Sequence, residues 1–351
     1  SGLVAFPGDP QVEGYTSPLG MALIAASMKL GLFHPMWTPK ILGFALMLGA
    51  FWFLRTAARA SFPGADRWTD LGLVLAALSP PLAVWTASGL ENPLYALTVA
   101  GLVAFVARVG VPTMKAALLA GLLAGIIPWV RPDGFVFAAL APLVVLLGSS
   151  ADLRRRLSFA AVASATTIGS VGLLTLWRWK EFGDVVSNTF HAKSGDPMSA
   201  QATGAILVVV TLVTIVGVSR GVSATRVRWG LGLSLVIAAV AWGFGLKGAP
   251  RAFAGMLGPL VLGVTLTSLI WAAPRSGRLV WLVATMLGLL AYLALPGDWM
   301  GEYRFATPFI LIATPWATIE IGRALATLRA SGTRWVLVGV ACVALALLGG
   351  R

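Results

Sequence analysis

The sequence predicts an all-α fold, a multi-spanning helical membrane protein with about 12 spans and a short N-terminal re-entrant or interfacial segment. Three observations carry this. Hydrophobic residues make up 58% of the chain and charged residues only 11%, where a soluble domain carries about a quarter charged. Apolar runs such as 203–218, 255–271 and 334–348 have about the length that crosses roughly 30 Å of hydrocarbon. The charges also sort to alternate sides once the runs are treated as spans. A β-barrel would show short alternating segments instead.

In chain order, the apolar runs place spans near 40–58, 69–86, 93–108, 113–129, 134–148, 157–176, 203–219, 229–246, 252–272, 279–295, 305–323 and 334–350. The segment 18–33 is apolar but short. A full crossing there would turn every arginine-rich loop outward, against the positive-inside rule, so a partial, re-entrant or interfacial path is expected. Ser17 is placed to cap a helix starting at Pro18, since proline suits the first helical turn. No soluble domain or internal repeat interrupts the pattern, and 1–351 reads as a single transmembrane domain.

With this topology, inner loops and span ends hold 16 of the 26 Lys and Arg but only Asp66, Asp70, Asp152 and Glu320 among the acids. The outer side holds the other nine acidic residues. The net charge of +13 therefore reflects topology and contact with membrane lipids, not nucleic-acid binding. The single cysteine, Cys342, excludes an intramolecular disulfide within the chain, and His34 and His191 are the only histidines, too few for a histidine metal cluster. The outer carboxylates offer oxygen ligands for a divalent cation, but nothing sets a ligand count. The start at Ser1 and the close just after an apolar run read as a piece of a longer protein.

The outer connections are rich in polar and aromatic residues, and each allows a plain and a functional reading. Glu13 and Tyr15 place a carboxylate and a phenol before the first apolar run. Glu91, in Ser88-Gly89-Leu90-Glu91-Asn92-Pro93, either steadies a helix N-terminus or serves a site, as ionisable groups near membrane depth usually do. Ser88 or Asn92 is a candidate helix cap. Arg131 either pairs with Asp133 in Arg131-Pro132-Asp133-Gly134 or binds a phosphate through its planar donor fork. The stretch 182–193 gathers Asp184, Asn188, His191 and Lys193, as either a solvated loop or a site. In 296–305, Asp298 and Arg304 form either an ion pair or parts of a site. Trp299 and Tyr303 are either interface anchors or stacking surfaces for a sugar.

Taken in order, Gly2-Leu3-Val4 and Val12-Glu13-Gly14-Tyr15-Thr16-Ser17-Pro18, Ser88 to Leu94, Arg131-Pro132-Asp133-Gly134, Gly183-Asp184 with Asn188-Thr189 and Ala192-Lys193, and Gly297-Asp298-Trp299-Met300 with Arg304-Phe305 resemble the GT-C type of polyprenyl-phosphosugar-dependent membrane glycosyltransferase. In particular they resemble the mycobacterial terminal arabinofuranosyltransferase-like proteins, and the resemblance covers nearly the whole chain. It implies a GT-C-like fold in a bacterial inner membrane. It also implies a polyprenyl-phosphate-linked sugar donor, a glycan or lipid acceptor of the cell envelope, and transfer on the extracytoplasmic face. Such proteins carry a first span and an acidic motif ahead of the Glu-Gly-Tyr-Thr stretch, and often a C-terminal extracytoplasmic domain. The resemblance thus implies that the main catalytic base lies ahead of Ser1 and is missing from this chain.

The chemistry expected of such a site is limited. A carboxylate takes a proton from the acceptor hydroxyl, and cations steady the leaving phosphate. Direct attack with inversion is the simplest course. Within the chain, Glu13 and Asp298 are the secondary candidates for the base. Lys193, Arg304, Arg131 and His191 are candidates for the donor phosphate, and Tyr15, Glu91, Asn188, Asp184 and Trp299 for sugar or acceptor. The competing expectation is a polytopic transporter or lipid-linked-sugar flippase. That class should show broken helices at the membrane midplane and inverted repeats, whereas the polar groups here lie at outer helix ends.

Overall fold

The computed structural model describes residues 13–187, 276–294 and 303–329. Among them, all regular structure is helical. The chain divides into two compact units, Ser1–Ser199 with Ala272–Pro315, and Ala200–Trp271 with Trp316–Arg351. The described part of the second unit is 316–329, a continuous helix in which Arg323 Nη1 lies 3.8 Å from Glu320 Oε1.

The first unit begins with α1 (Pro18–Lys29), α2 (Thr38–Ser61), α3 (Asp66–Ala77), α4 (Pro80–Ala87), α5 (Asn92–Val106) and α6 (Met114–Val130). A 3-10 helix (Pro132–Ala139), α7 (Leu140–Gly148), α8 (Leu153–Phe182) and α9 (Ser276–Ala294) follow. A 3-10 turn (Arg304–Ala306) then leads into α10 (Thr307–Arg329). Among the described residues, three stretches are long and apolar enough to cross a membrane, Thr38–Ser61, Leu153–Phe182 and Arg304–Arg323, and a fourth if the bent pair α3–α4 counts as one span.

Several expected boundaries are corrected. The span expected at 69–86 is two helices meeting at 63°. Pro80 and Pro81 lack the N–H that a continuous helix would use, and the ring of Pro80 drives Ser79 to extended backbone. The span expected at 93–108 is a helix of 15 residues, about 22 Å long, short of the hydrocarbon thickness. The one expected at 134–148 opens as a 3-10 helix before α7. The one expected at 157–176 is longer, because Asp152 Oδ1 accepts from Arg155 N at 2.9 Å at its start and Gly183 closes its end in the left-handed region. The spans expected at 203–219, 229–246, 252–272 and 334–350 lie outside the described residues.

Helix α2 packs along α5, α6 along α8, and α9 against α7. Helices α6 and α8 run parallel. Gly121 faces Ala163 and Thr166, Gly125 faces Ser170, and Trp129 Nε1 donates to Ser170 Oγ at 3.1 Å and stacks on Trp177. A Cβ at Gly121 would lie 2.6 Å from the Ala163 carbonyl oxygen, and one at Gly172 would meet nothing. Gly121→Ala is therefore expected to cost about 1–3 kcal/mol through overpacking. Gly172→Ala should leave stability unchanged or raise it. Thermal unfolding in detergent reads the difference.

The connections gather at two ends. One end holds the α4–α5 junction, the end of α6 and the start of α10, joined through Glu91, Arg131 and Arg304. The opposite end holds the α2–α3 turn, where Arg55 pairs with Asp70 and Arg59 with Asp66, and the start of α9, where Trp281 Nε1 donates to Ser61 Oγ at 3.1 Å. Helix α1 has no buried residue, and Ser17 Oγ caps it by accepting from Gly20 N at 3.1 Å. A Cβ at Gly20 would lie 3.9 Å from Glu91 Cβ, and one at Gly89 would lie 3.0 Å from Pro39 Cβ. Residues 18–38 therefore leave from and return to the Glu91 end, and 12 helical residues reach only about 18 Å.

Candidate functional site

The α4–α5 junction builds the centre of the site. Ser88 Oγ donates to Trp85 O at 2.9 Å and accepts from Leu90 N at 3.1 Å, and Gly89 turns the chain at φ 77°. This turn delivers Glu91 to the N-cap position of α5, where its side chain makes no capping hydrogen bond. Its Oε1 instead accepts from Arg131 Nη1 and from Arg304 Nη2, each at 2.8 Å. Two guanidiniums from elements far apart in the chain thus converge on one carboxylate oxygen.

Each arginine is fixed by its surroundings. Pro132 holds Arg131 in extended backbone, which ends α6 at Val130. Arg131 Nε donates to Asp133 Oδ1 at 3.0 Å, so the pairing of these two neighbours coexists with the bond to Glu91. The Arg131 guanidinium carbon lies 4.8 Å from the Phe305 ring centroid and 5.5 Å from that of Tyr95, within cation–π range. Arg304 follows Tyr303, which has a left-handed φ of 50°, a conformation of the kind that clusters at functional sites. Asn92, expected as a possible cap, instead donates through Nδ2 to Arg304 O at 2.9 Å and to Thr307 Oγ1 at 3.1 Å. Arg304 also lies 5.6 Å over the Trp85 ring.

The side chains of Glu91, Asp133, Arg131 and Arg304 are each at most 10% exposed, and their formal charges cancel. That balance is what makes such burial tolerable. Burial pushes the Glu91 carboxyl up, but Arg131 and Arg304 together outweigh it and hold the carboxyl below its ordinary value. The Arg131 guanidinium is opposed by burial, yet Asp133 and Glu91 keep it firmly protonated. A guanidinium carries five N–H donors. Arg131 uses Nε and Nη1, and among the described residues its Nη2 makes no hydrogen bond.

A second buried ion pair joins Glu13 to Arg178. Glu13 is 3% exposed, and its two oxygens accept from Arg178 Nε at 2.8 Å and Nη2 at 3.2 Å. Burial raises the Glu13 carboxyl more than Arg178 lowers it. Acting as a base would require release from Arg178. Tyr15 meets Phe182 edge-on at 6.5 Å, and Phe182 meets Trp177 at 5.6 Å, so an aromatic row follows the end of α8. Asp184 Oδ1 accepts from Val186 N at 3.2 Å and shapes the turn after Gly183.

Of the expected site residues, Glu91, Arg131 and Arg304 are brought together, while Glu13 and Tyr15 join the end of α8 and Asp184 follows it. Asn188, His191, Lys193, Asp298 and Trp299 lie outside the described residues. Asn92 and Arg178 carry more of the geometry than their sequence context suggested. Arg178 had a visible signal, an arginine just inside the end of an apolar run, but its partner lies 165 positions away. Among the described residues, no group of three or more His, Cys, Asp or Glu is arranged to hold a metal ion. Comparison with known proteins found no matching family model, no similar curated protein and no similar solved structure.

Proposed function

We propose that the chain is a membrane glycosyltransferase of the GT-C type. It moves a sugar from a polyprenyl-phosphate donor to a cell-envelope glycan or lipid acceptor at the extracytoplasmic face. One observation carries this reading. Three of the motifs behind the resemblance, 88–94, 131–134 and 304–305, meet in a single buried cluster of two arginines, two carboxylates and aromatic rings.

In this reading Arg131 and Arg304 steady the donor phosphate as the glycosidic bond breaks, which is where cations help most. Glu91 and Asp133 orient the two guanidiniums beforehand, so no reorganisation is needed during reaction. The Nη2 edge of Arg131 is the donor that its carboxylates leave unused. Lys193 and His191 support the phosphate, and Tyr15, Asp184, Asn188 and Trp299 contact sugar or acceptor. The proton of the attacking hydroxyl goes to a carboxylate. First in line is the acidic motif that the resemblance implies, then Glu13 or Asp298.

The test uses the full-length protein in membranes, supplied with a labelled polyprenyl-phosphate sugar and a glycan acceptor. Label is expected to reach the acceptor, and Arg304→Lys, which keeps the charge but loses the planar fork, should slow transfer by about 100-fold while the protein remains folded. Movement of the lipid-linked sugar across the bilayer without transfer to acceptor would sink the proposal in favour of a flippase.

A further inference from the structure

The end of the first unit opposite Glu91 carries two adjoining clefts. One, of about 590 Å³, lies between the starts of α6 and α8 and is lined by Thr113, Met114, Asp152, Arg154, Arg155 and Phe159 among others. The second, of about 550 Å³, runs between α2, α5 and α6 and is lined chiefly by apolar groups such as Phe53, Phe105 and Leu123, with Arg108 as its one charged residue. Val111 lines both. Each volume falls in the range of small-molecule sites, roughly 300–1,000 Å³.

The charges at this place run against local helix chemistry. Lys115 stands in the first turn of α6 and Arg154, Arg155 and Arg156 in the first turn of α8, with no acidic residue in either turn. A helix N-terminus is already positive and disfavours cations. Asp152 answers Arg155 alone, at 3.2 Å. Among the described residues, no carboxylate pairs with Arg108 or Arg154, and Arg108 Nη1 rests on the Ala104 carbonyl at 2.8 Å. An anion in the first cleft would meet two helix N-termini and the Arg154 guanidinium, with Arg108 lining the adjoining cleft. The apolar second cleft beside it would take a hydrocarbon tail.

We propose that these joined clefts bind an anionic diacyl phospholipid. Its headgroup phosphate lies at the Arg154 cleft and an acyl chain lies in the groove between Phe53 and Leu123. Basic pockets between spans on the inner side are suited to such headgroups. The proposal stands apart from the glycosyl-transfer reading, since it uses the opposite end of the bundle and none of the same residues.

The full-length protein in detergent, given equal amounts of phosphatidylglycerol and phosphatidylcholine, is examined by native mass spectrometry for retained lipid. Phosphatidylglycerol should be retained about tenfold over phosphatidylcholine, and Arg108→Ala with Arg154→Ala should remove that preference. Gly101→Leu, which fills the groove beside Phe53, should also lower retention. Arg59→Ala, at an exposed pair with Asp66, should not. Thermal unfolding without lipid confirms that the variants are folded; should the double variant unfold, Arg154→Gln is read in its place. Equal retention of phosphatidylcholine, retention unchanged in the arginine variant, or displacement of the lipid by glycerol phosphate alone would each overturn the proposal.

Discussion

Replacing Glu91 by alanine is expected to destabilise the protein by about 3–5 kcal/mol, the cost of removing one member of a buried ion pair. Both Arg131 and Arg304 lose an acceptor at 2.8 Å, and Arg131 retains Asp133. The loss also unties α5 from the end of α6 and the start of α10. Arg59→Ala provides the contrast. Its partner Asp66 and Arg59 itself are each 51% exposed, and such pairs are worth about 1 kcal/mol or less. Unfolding midpoints in detergent measure both. The same variant should lose sugar transfer, so the comparison with Arg304→Lys at matched folding separates chemistry from stability.

The pH dependence of that effect has a definite sign. Glu91 titrates below its ordinary value of 4.5 in the folded protein. Its contribution is therefore present above that value and lost as pH falls through the lower folded one. The wild type should lose stability on acidification below about pH 4.5, and Glu91→Gln should show a flatter acid limb. An unchanged acid limb in Glu91→Gln would mean that the carboxylate is not what holds the two arginines.

Glu13→Ala is the second large effect, again about 3–5 kcal/mol, because Arg178 would be left buried without its carboxylate. The double variant Glu13→Leu with Arg178→Leu should behave differently. Burial raises the Glu13 carboxyl by more than Arg178 lowers it, so the charged pair contributes little net stability at neutral pH. Replacement by two apolar residues is expected to be neutral or stabilising by about 1–4 kcal/mol. This separates two roles for Glu13. If transfer survives in the stable double variant, the pair is a fastening between residue 13 and α8; if transfer is lost while folding is kept, Glu13 takes part in the reaction.

The helices of the first unit were largely legible because their signals are local. Pro18 after Ser17, Asp152 before Leu153, and the Pro132 that follows Arg131 mark boundaries within a turn of where the chain obeys them. The break between α3 and α4 was legible in Pro80-Pro81 but hidden by continuous hydropathy across 69–86. Hydropathy averages over a window and does not register a missing N–H. The pairing of Arg131 with Asp133 could be read from two neighbouring positions. The bond of Arg304 to Glu91, 213 positions apart, and that of Arg178 to Glu13, 165 apart, could not. Asn92 shows the same limit. Beside Pro93 it resembles a cap, yet its amide is consumed by the Arg304 carbonyl.

The sequence by itself determined the helical build of the described residues and the apolar stretches long enough to cross a membrane, because apolar run length is a property of contiguous residues and needs no partner elsewhere in the chain. Only the tertiary structure decided which partners Glu91 and Glu13 take. Glu91 became the shared anchor of two arginines and Glu13 the buried mate of a third. The reason is that an ion pair's energy depends on burial and on distances of a few ångströms between side chains, neither of which sequence separation encodes.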